Sequence, residues 1–209
     1  MRPNLQLALD VTRFDQAMAL CEKTSSWVDW IEVGTPLVIS EGLRTVRSIK
    51  NAFAQKTVLV DVKIADAAKL LATEAARAGA DIFTVLSAAS DKTITTCVEV
   101  AHDLSRKVLG DHIASQTSLD ACRRLEDLGV DYIGVHIPKD SAGNLPLSEL
   151  ENLLKHLNTP VVLAGGITKQ RLELMKGLPI HTLVIGGAII NSPSPDEEAR
   201  ALAAILADW

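Results

Sequence analysis

Eight short aliphatic runs recur along the chain at a spacing of roughly 25 residues, with longer amphipathic stretches between them, and this alternation limits the available folds more than any other feature. The runs are LQLALD (5–10), DWIEVG (29–34), TVLVDVK (57–63), DIFTVL (81–86), KVLGDHI (107–113), DYIGVHI (131–137), PVVLAGG (160–166) and HTLVIGG (181–187). The intervening stretches read as helices. Residues 67–78 are stopped by Gly79 and residues 119–128 by Gly129, each a glycine just past the last periodic position. The last helix opens at SPSPDEEA, with Ser194 as the expected N-cap, Pro195 in the first turn, and acids where the helix dipole favours them.

Strict β/α alternation predicts a parallel sheet, and eight units in 209 residues predict a single (β/α)8 TIM barrel spanning residues 1–209. The competing fold is an open doubly wound sheet. Its dinucleotide version needs a G-x-G-x-x-G turn after the first strand, where this chain has LDVTRFD. Hydrophobic residues make up 47% but aromatics only 3%, so the core is aliphatic, as layered strands and helices require. The net charge of −5, with mixed signs throughout, offers no basic stripe and argues against a nucleic-acid partner. No eighteen apolar residues run together and the N-terminal apolar run is too short for a signal peptide, so no membrane association is expected. The three scattered cysteines, Cys21, Cys97 and Cys122, suit reduced thiols in a cytoplasmic protein.

Side chains in a barrel strand alternate between lumen and helix layer. Leu5, Leu7 and Leu9 should face the helices, and Gln6, Ala8 and Asp10 the lumen. In the third run Val60 and Val62 face outward while Asp61 and Lys63 face inward, separated by roughly 6.6 Å of rise. Nearly every run ends on a polar residue or glycine: Asp10, Glu32 with Gly34, Asp61 with Lys63, Ser87, Asp111, His136, Gly165 with Gly166, and Gly186 with Gly187. Barrel enzymes build their sites at this rim. Asp81 and Asp131 open their strands at the other rim and are expected to serve stability. Each rim residue alone has a plain structural role open to it: Asp10 as a helix cap, His136 as a core histidine. Gathered at one mouth, the carboxylates would repel by on the order of 4 kcal/mol per close pair at intermediate dielectric without a cation or proton to relieve them.

Glu32 and Asp61, on neighbouring strands with no thiol or histidine beside them, form a hard oxygen site suited to Mg²⁺, or Mn²⁺, and unsuited to zinc. The loops AGGITKQ and IGGAIINS, after the seventh and eighth runs, offer backbone N–H groups to a phosphate.

Asp10, the stretch Glu32-Val33-Gly34-Thr35-Pro36, the stretch Asp61-Val62-Lys63-Ile64-Ala65-Asp66-Ala67, His136 and the paired glycine loops resemble the orotidine monophosphate decarboxylase suprafamily. Within it they resemble the branch of 3-hexulose-6-phosphate synthase and 3-keto-L-gulonate-6-phosphate decarboxylase. The resemblance implies a homodimer with sites at the subunit interface and Asp66 reaching into the partner's site, and it implies Mg²⁺ on Glu32 and Asp61. It further implies that Lys63, oriented by Asp10 and Asp66, stabilises a 1,2-enediolate of a sugar phosphate. His136, whose reference pKa lies near neutrality, is the candidate proton carrier. Asp111 joins these as a catalytic candidate. Substrate contacts are implied for Asp10 and Lys139, and for Gly165, Gly166, Gly186, Gly187 and Ala188 at the phosphate end. Asp111, Ala164 and Ala188 match the synthase. Lys139 stands where the decarboxylase has an arginine, Ile137-Pro138 fits neither pattern, and His112 departs from the synthase. Both activities therefore stay open at this point. So do a metal-free sugar-phosphate epimerase or isomerase and a non-catalytic phosphate-binding barrel.

Overall fold

A computed structural model describes residues 2–113, 118–136 and 146–209. The strands are β1 (Asn4–Leu9), β2 (Trp30–Val33), β3 (Thr57–Ile64), β4 (Ile82–Leu86), β5 (Lys107–Asp111), β6 (Tyr132–His136), β7 (Val161–Ala164) and β8 (Thr182–Ile185). Each neighbouring pair is parallel, and β8 pairs with β1 to close the barrel in sequential order. The open-sheet alternative is thereby excluded. The helices are α1 (Phe14–Thr24), α2 (Thr35–Glu41), α3 (Arg44–Ala52), α4 (Ala68–Arg77), α5 (Asp91–Asp103), α6 (Leu119–Asp127), α7 (Leu147–His156), α8 (Lys169–Met175), the single turn α9 (Gly187–Ile190) and α10 (Pro195–Ala207). Among the described residues no helix is long and apolar enough to cross a membrane.

Residues two apart along each strand face one layer. Leu5, Leu7, Leu9, Val58 and Val60 are fully buried against the helices in the main core. Inside the barrel the lower half is a second apolar cluster of Trp30, Leu59, Ile82, Leu109, Tyr132 and Val162, with Val184 packed against it. Trp30 and Tyr132 meet edge to face with centroids 5.2 Å apart, and His181 closes the aromatic group 5.2 Å from Tyr132. This floor confines polar chemistry to the upper half of the lumen.

Helix ends follow the sequence signals with one exception. Gly79 and Gly129 take positive φ (100° and 84°), the left-handed conformation that glycine adopts without penalty after a helix. Ser90, Ser118 and Thr168 cap α5, α6 and α8 by accepting backbone N–H bonds. Ser194 precedes Pro195 as expected, but its side chain makes no capping bond to α10. The helix start relies instead on Pro195 and on Asp196, Glu197 and Glu198 in the first turn.

The lower rim repeats one device. Asp29, Asp81 and Asp131 each donate a backbone N–H to a carbonyl of the preceding strand (Leu5, Val58 and Val108) and accept the N–H of that same residue on the carboxylate. Asp81 also pairs with Lys50 and Arg106. These contacts fit the expected structural role of Asp81 and Asp131.

Candidate active site

A cavity of about 650 Å³ opens at the C-terminal mouth of the barrel, within the size range of small-molecule sites. Asp10, Glu32, Asp61, Lys63, Asp111 and His136 all line it, Asp10 just beyond β1 and the others from β2, β3, β5 and β6. Gly165, Gly166, Gly186, Gly187 and Ala188, just after β7 and β8, line it as well. Asp66 does not line it; the residue is exposed in the turn before α4. Lys139 lies outside the described residues, as do Ile137 and Pro138. The fourth strand contributes Thr84 and not Ser87: Ser87 is buried beyond the strand end, where its carbonyl accepts from Arg124.

Lys63 is the hub. Its Nζ is ion-paired with Asp61 Oδ2 and lies 3.5 Å from Asp111 Oδ2. Within the chain the lysine is thus ion-paired with Asp61 and Asp111. Burial works against the ammonium, yet the charges of Asp61 and Asp111 outweigh it and raise the Lys63 pKa. Asp111 also faces His136, whose Nδ1 lies 3.5 Å from Oδ1, and accepts the N–H of Ile113 at 3.0 Å. Burial would raise the Asp111 carboxyl, but His136 and Lys63 together hold it below its ordinary value. An ammonium, a carboxylate and an imidazole therefore stand in sequence across the mouth.

Asp61 is gripped by two hydroxyls that the sequence reading did not single out. Thr35 Oγ1 donates to Oδ2 and Thr84 Oγ1 to Oδ1, each at 2.8 Å. Alternation could have flagged Thr84, the one hydroxyl at an inward position of DIFTVL, two residues after Ile82. Thr35 opens α2 beyond the strand, where alternation gives no signal.

Glu32 is almost sealed from solvent, and burial together with the nearby Asp61 charge pushes its pKa up to about 8. Gln6 Nε2 donates to Glu32 Oε2 at 2.6 Å, while the buried Gln6 Oε1 has no hydrogen-bond partner among the described residues. Two close carboxylates, one of them resisting ionisation, and a spare amide oxygen beside them make a donor set that fits a hard cation and its waters. Among the described residues no three His, Cys, Asp or Glu side chains form a metal cluster. A metal here would rest on two carboxylates, with water and substrate oxygens completing its sphere.

Two glycines are fixed by close approach. A Cβ on Gly34 would stand 2.5 Å from Asp10 Oδ1 and 2.8 Å from the Leu9 carbonyl, so Gly34 is what allows Asp10 its place. A Cβ on Gly186 would meet the Ala8 carbonyl at 3.2 Å. Gly165 and Gly166 instead need positive φ, 95° and 60°, to turn the chain back over the mouth.

Residues 3–202 match the family described as Orotidine 5'-phosphate decarboxylase / HUMPS family. The chain belongs to this family. Among curated relatives of the Orotidine 5'-phosphate decarboxylase / HUMPS family, it is 36% identical over 205 residues to a 3-hexulose-6-phosphate synthase of Staphylococcus epidermidis, covering 97% of this chain and 98% of that one. Among solved structures, the 3-hexulose-6-phosphate synthase of Salmonella typhimurium superposes with a TM-score of 0.92 at 34% identity, covering 98% of each chain. A 3-keto-L-gulonate-6-phosphate decarboxylase from Vibrio cholerae superposes with a TM-score of 0.88 at 28% identity over the full length of both. The family resemblance expected from the residues, and its branch, are therefore correct.

Proposed function

We propose that the chain is a 3-hexulose-6-phosphate synthase, adding formaldehyde to ribulose 5-phosphate. It is a carbon–carbon lyase, here working in the bond-forming direction. The observation that carries the reading is the Lys63 ammonium held between Asp61 and Asp111, with His136 on the far side of Asp111.

Glu32 and Asp61 would hold Mg²⁺, or Mn²⁺, which when bound supplies positive charge against the oxygens of the sugar. The backbone of the Gly165-Gly166 and Gly186-Gly187 loops binds the phosphate, setting C1 and C2 of the sugar towards Lys63. The His136 imidazole takes a proton from C1, leaving an enediolate whose negative charge faces the Lys63 ammonium. The C1 carbon then attacks formaldehyde, one carbon–carbon bond forms, and the new alkoxide receives the proton that His136 carries. Protons balance and no redox partner is needed. Asp111 orients Lys63 by charge and His136 by hydrogen bonding and charge. The apolar floor beneath keeps bulk water from one side of the site.

Asp66, exposed beside Leu70 and Leu71 (64% and 41% exposed) at the start of α4, supports a homodimer in which this surface meets a second copy. Sedimentation of the wild type and of Leu70→Glu tests it; a monomeric wild type would end that part of the proposal.

The deciding assay offers ribulose 5-phosphate with formaldehyde, and separately 3-keto-L-gulonate 6-phosphate, to the Mg²⁺-supplemented protein. Hexulose phosphate formed from the first pair alone is the expected result. Carbon dioxide released from the second substrate alone would reassign the chain to the decarboxylase, which shares the enediolate. Full activity after exhaustive chelation would remove the metal from the proposal.

A further inference from the structure

The ladder between β3 and β4 is interrupted where the site is built. Val60 pairs with Phe83 and Ile64 with Val85, so three residues of β3 (Asp61, Val62 and Lys63) face a single residue of β4, Thr84. Lys63 takes φ 47°, the left-handed region that a long side chain seldom adopts. An irregularity of this kind leaves a backbone N–H out of the ladder. Here the Lys63 N–H is taken up by Thr84 Oγ1 at 2.8 Å. The same hydroxyl spends its own proton on Asp61 Oδ1 at 2.8 Å. Thr84 is 3% exposed and lines the cavity, so water competes little for either bond.

We propose that Thr84 is a positioning residue: by joining the Lys63 backbone to the Asp61 carboxylate, its hydroxyl sets the direction from which the Lys63 ammonium enters the mouth. Without it the Lys63 N–H loses its side-chain acceptor, Thr35 still holds only Asp61, and the cost of the left-handed Lys63 is no longer offset. The lysine backbone is then free to relax towards ordinary strand geometry. Relaxation would swing Nζ away from Asp61 and Asp111 together, because both contacts depend on the same bent backbone. Valine matches threonine in shape and can make neither bond; serine keeps both. This deepens the synthase reading, on which its kinetic arm rests.

The test compares Thr84→Val, Thr84→Ala and Thr84→Ser with the wild type in the full chain with Mg²⁺. With ribulose 5-phosphate and formaldehyde, kcat of Thr84→Val should fall on the order of a hundredfold, the scale of a misplacement of about 1 Å. KM for the sugar phosphate should hold, because its phosphate is gripped by the loops after β7 and β8. Thr84→Ser should recover most of kcat. A second arm needs no substrate: in Thr84→Val the Lys63 amide should exchange faster with solvent. Its ¹³Cε signal, assigned through Lys63→Arg, should move towards those of exposed lysines. Thr84→Ala removes the same hydroxyl with less volume and serves if the valine variant does not fold. Wild-type kcat and unmoved Lys63 signals in Thr84→Val would overturn the proposal, as would losses of kcat that serine does not restore. If the wild type makes no hexulose phosphate, the synthase reading fails and the two Lys63 signals alone decide the role of Thr84.

Discussion

Replacing Glu32 with glutamine should make the metal-free protein more stable while abolishing turnover, and the gain should grow with pH. Glutamine keeps the shape of the side chain and an oxygen to accept the Gln6 bond, but removes a carboxyl that burial and Asp61 push from its ordinary 4.5 to about 8. Between those values the folded protein holds a proton that the unfolded chain has released. Stability contributed by the neutral carboxyl is thus present at low pH and is lost as pH rises through that window. At pH 5.5 the wild type bears roughly 1 kcal/mol of this penalty and at pH 8.5 roughly 4, taking about 1.36 kcal/mol per pKa unit. The swing of about 3 kcal/mol corresponds to roughly 6–12 °C in Tm for a chain of this length. The assay is thermal unfolding of both proteins in chelator at the two pH values. Mg²⁺ should then narrow the gap at pH 8.5, since a ligand at a hundred times its Kd stabilises the wild type by about 2.7 kcal/mol, more than half of that penalty, while the variant would lack one of the two proposed ligands. A Tm difference between variant and wild type that is the same at both pH values would refute the claim that Glu32 is a strained, desolvated acid.

Gly34→Ala should cost about 1–3 kcal/mol in denaturant unfolding and most of the activity, because the added carbon meets the Leu9 carbonyl and Asp10 and the backbone cannot yield to it. Asp131→Ala should lower stability by about 1.5–3 kcal/mol with kcat unchanged, since its charge-assisted bond to the Val108 N–H lies at the rim away from the mouth. Cys21 and Cys97, with thiols pushed up to about 12 by burial, and Cys122, at about 11, should resist iodoacetamide at pH 8 in the folded protein and react fully in guanidinium. Labelling of any of the three in the native state, matched by mass spectrometry, would contradict that burial.

Much of this architecture is legible in the sequence because two periods carry it. Alternation of two placed Leu5, Leu7 and Leu9 against the helices and Asp61 and Lys63 in the lumen, and the glycine stops at Gly79 and Gly129 set helix ends. What escaped was set by exceptions to period. The extra residues of β3 opposite Thr84 break the ladder, and nothing in TVLVDVK announces a left-handed lysine. The partners of Lys63 depend on that bend, so alternation gave its face without its neighbours. Ser87 seemed a rim residue by its place in the run, yet the chain has already turned towards α5 there, and the inward hydroxyl of that strand is Thr84. Ser194 occupies a cap position that Pro195 and three acids already serve.

The apolar floor has a consequence for how such a barrel can diversify. Leu59, Leu109, Val162 and Val184 belong both to the packed lower lumen and to the wall of the cavity, so they form a shelf whose height fixes how long a molecule can stand upright in the mouth. None of them bears charge or reaches the Lys63 cluster by hydrogen bonding. Shortening Leu109 would deepen the well without disturbing the acids above it, and lengthening Val162 would make it shallower. Substrate length and reaction chemistry are thereby held on separate storeys of one barrel, and each is open to change while the other stays fixed.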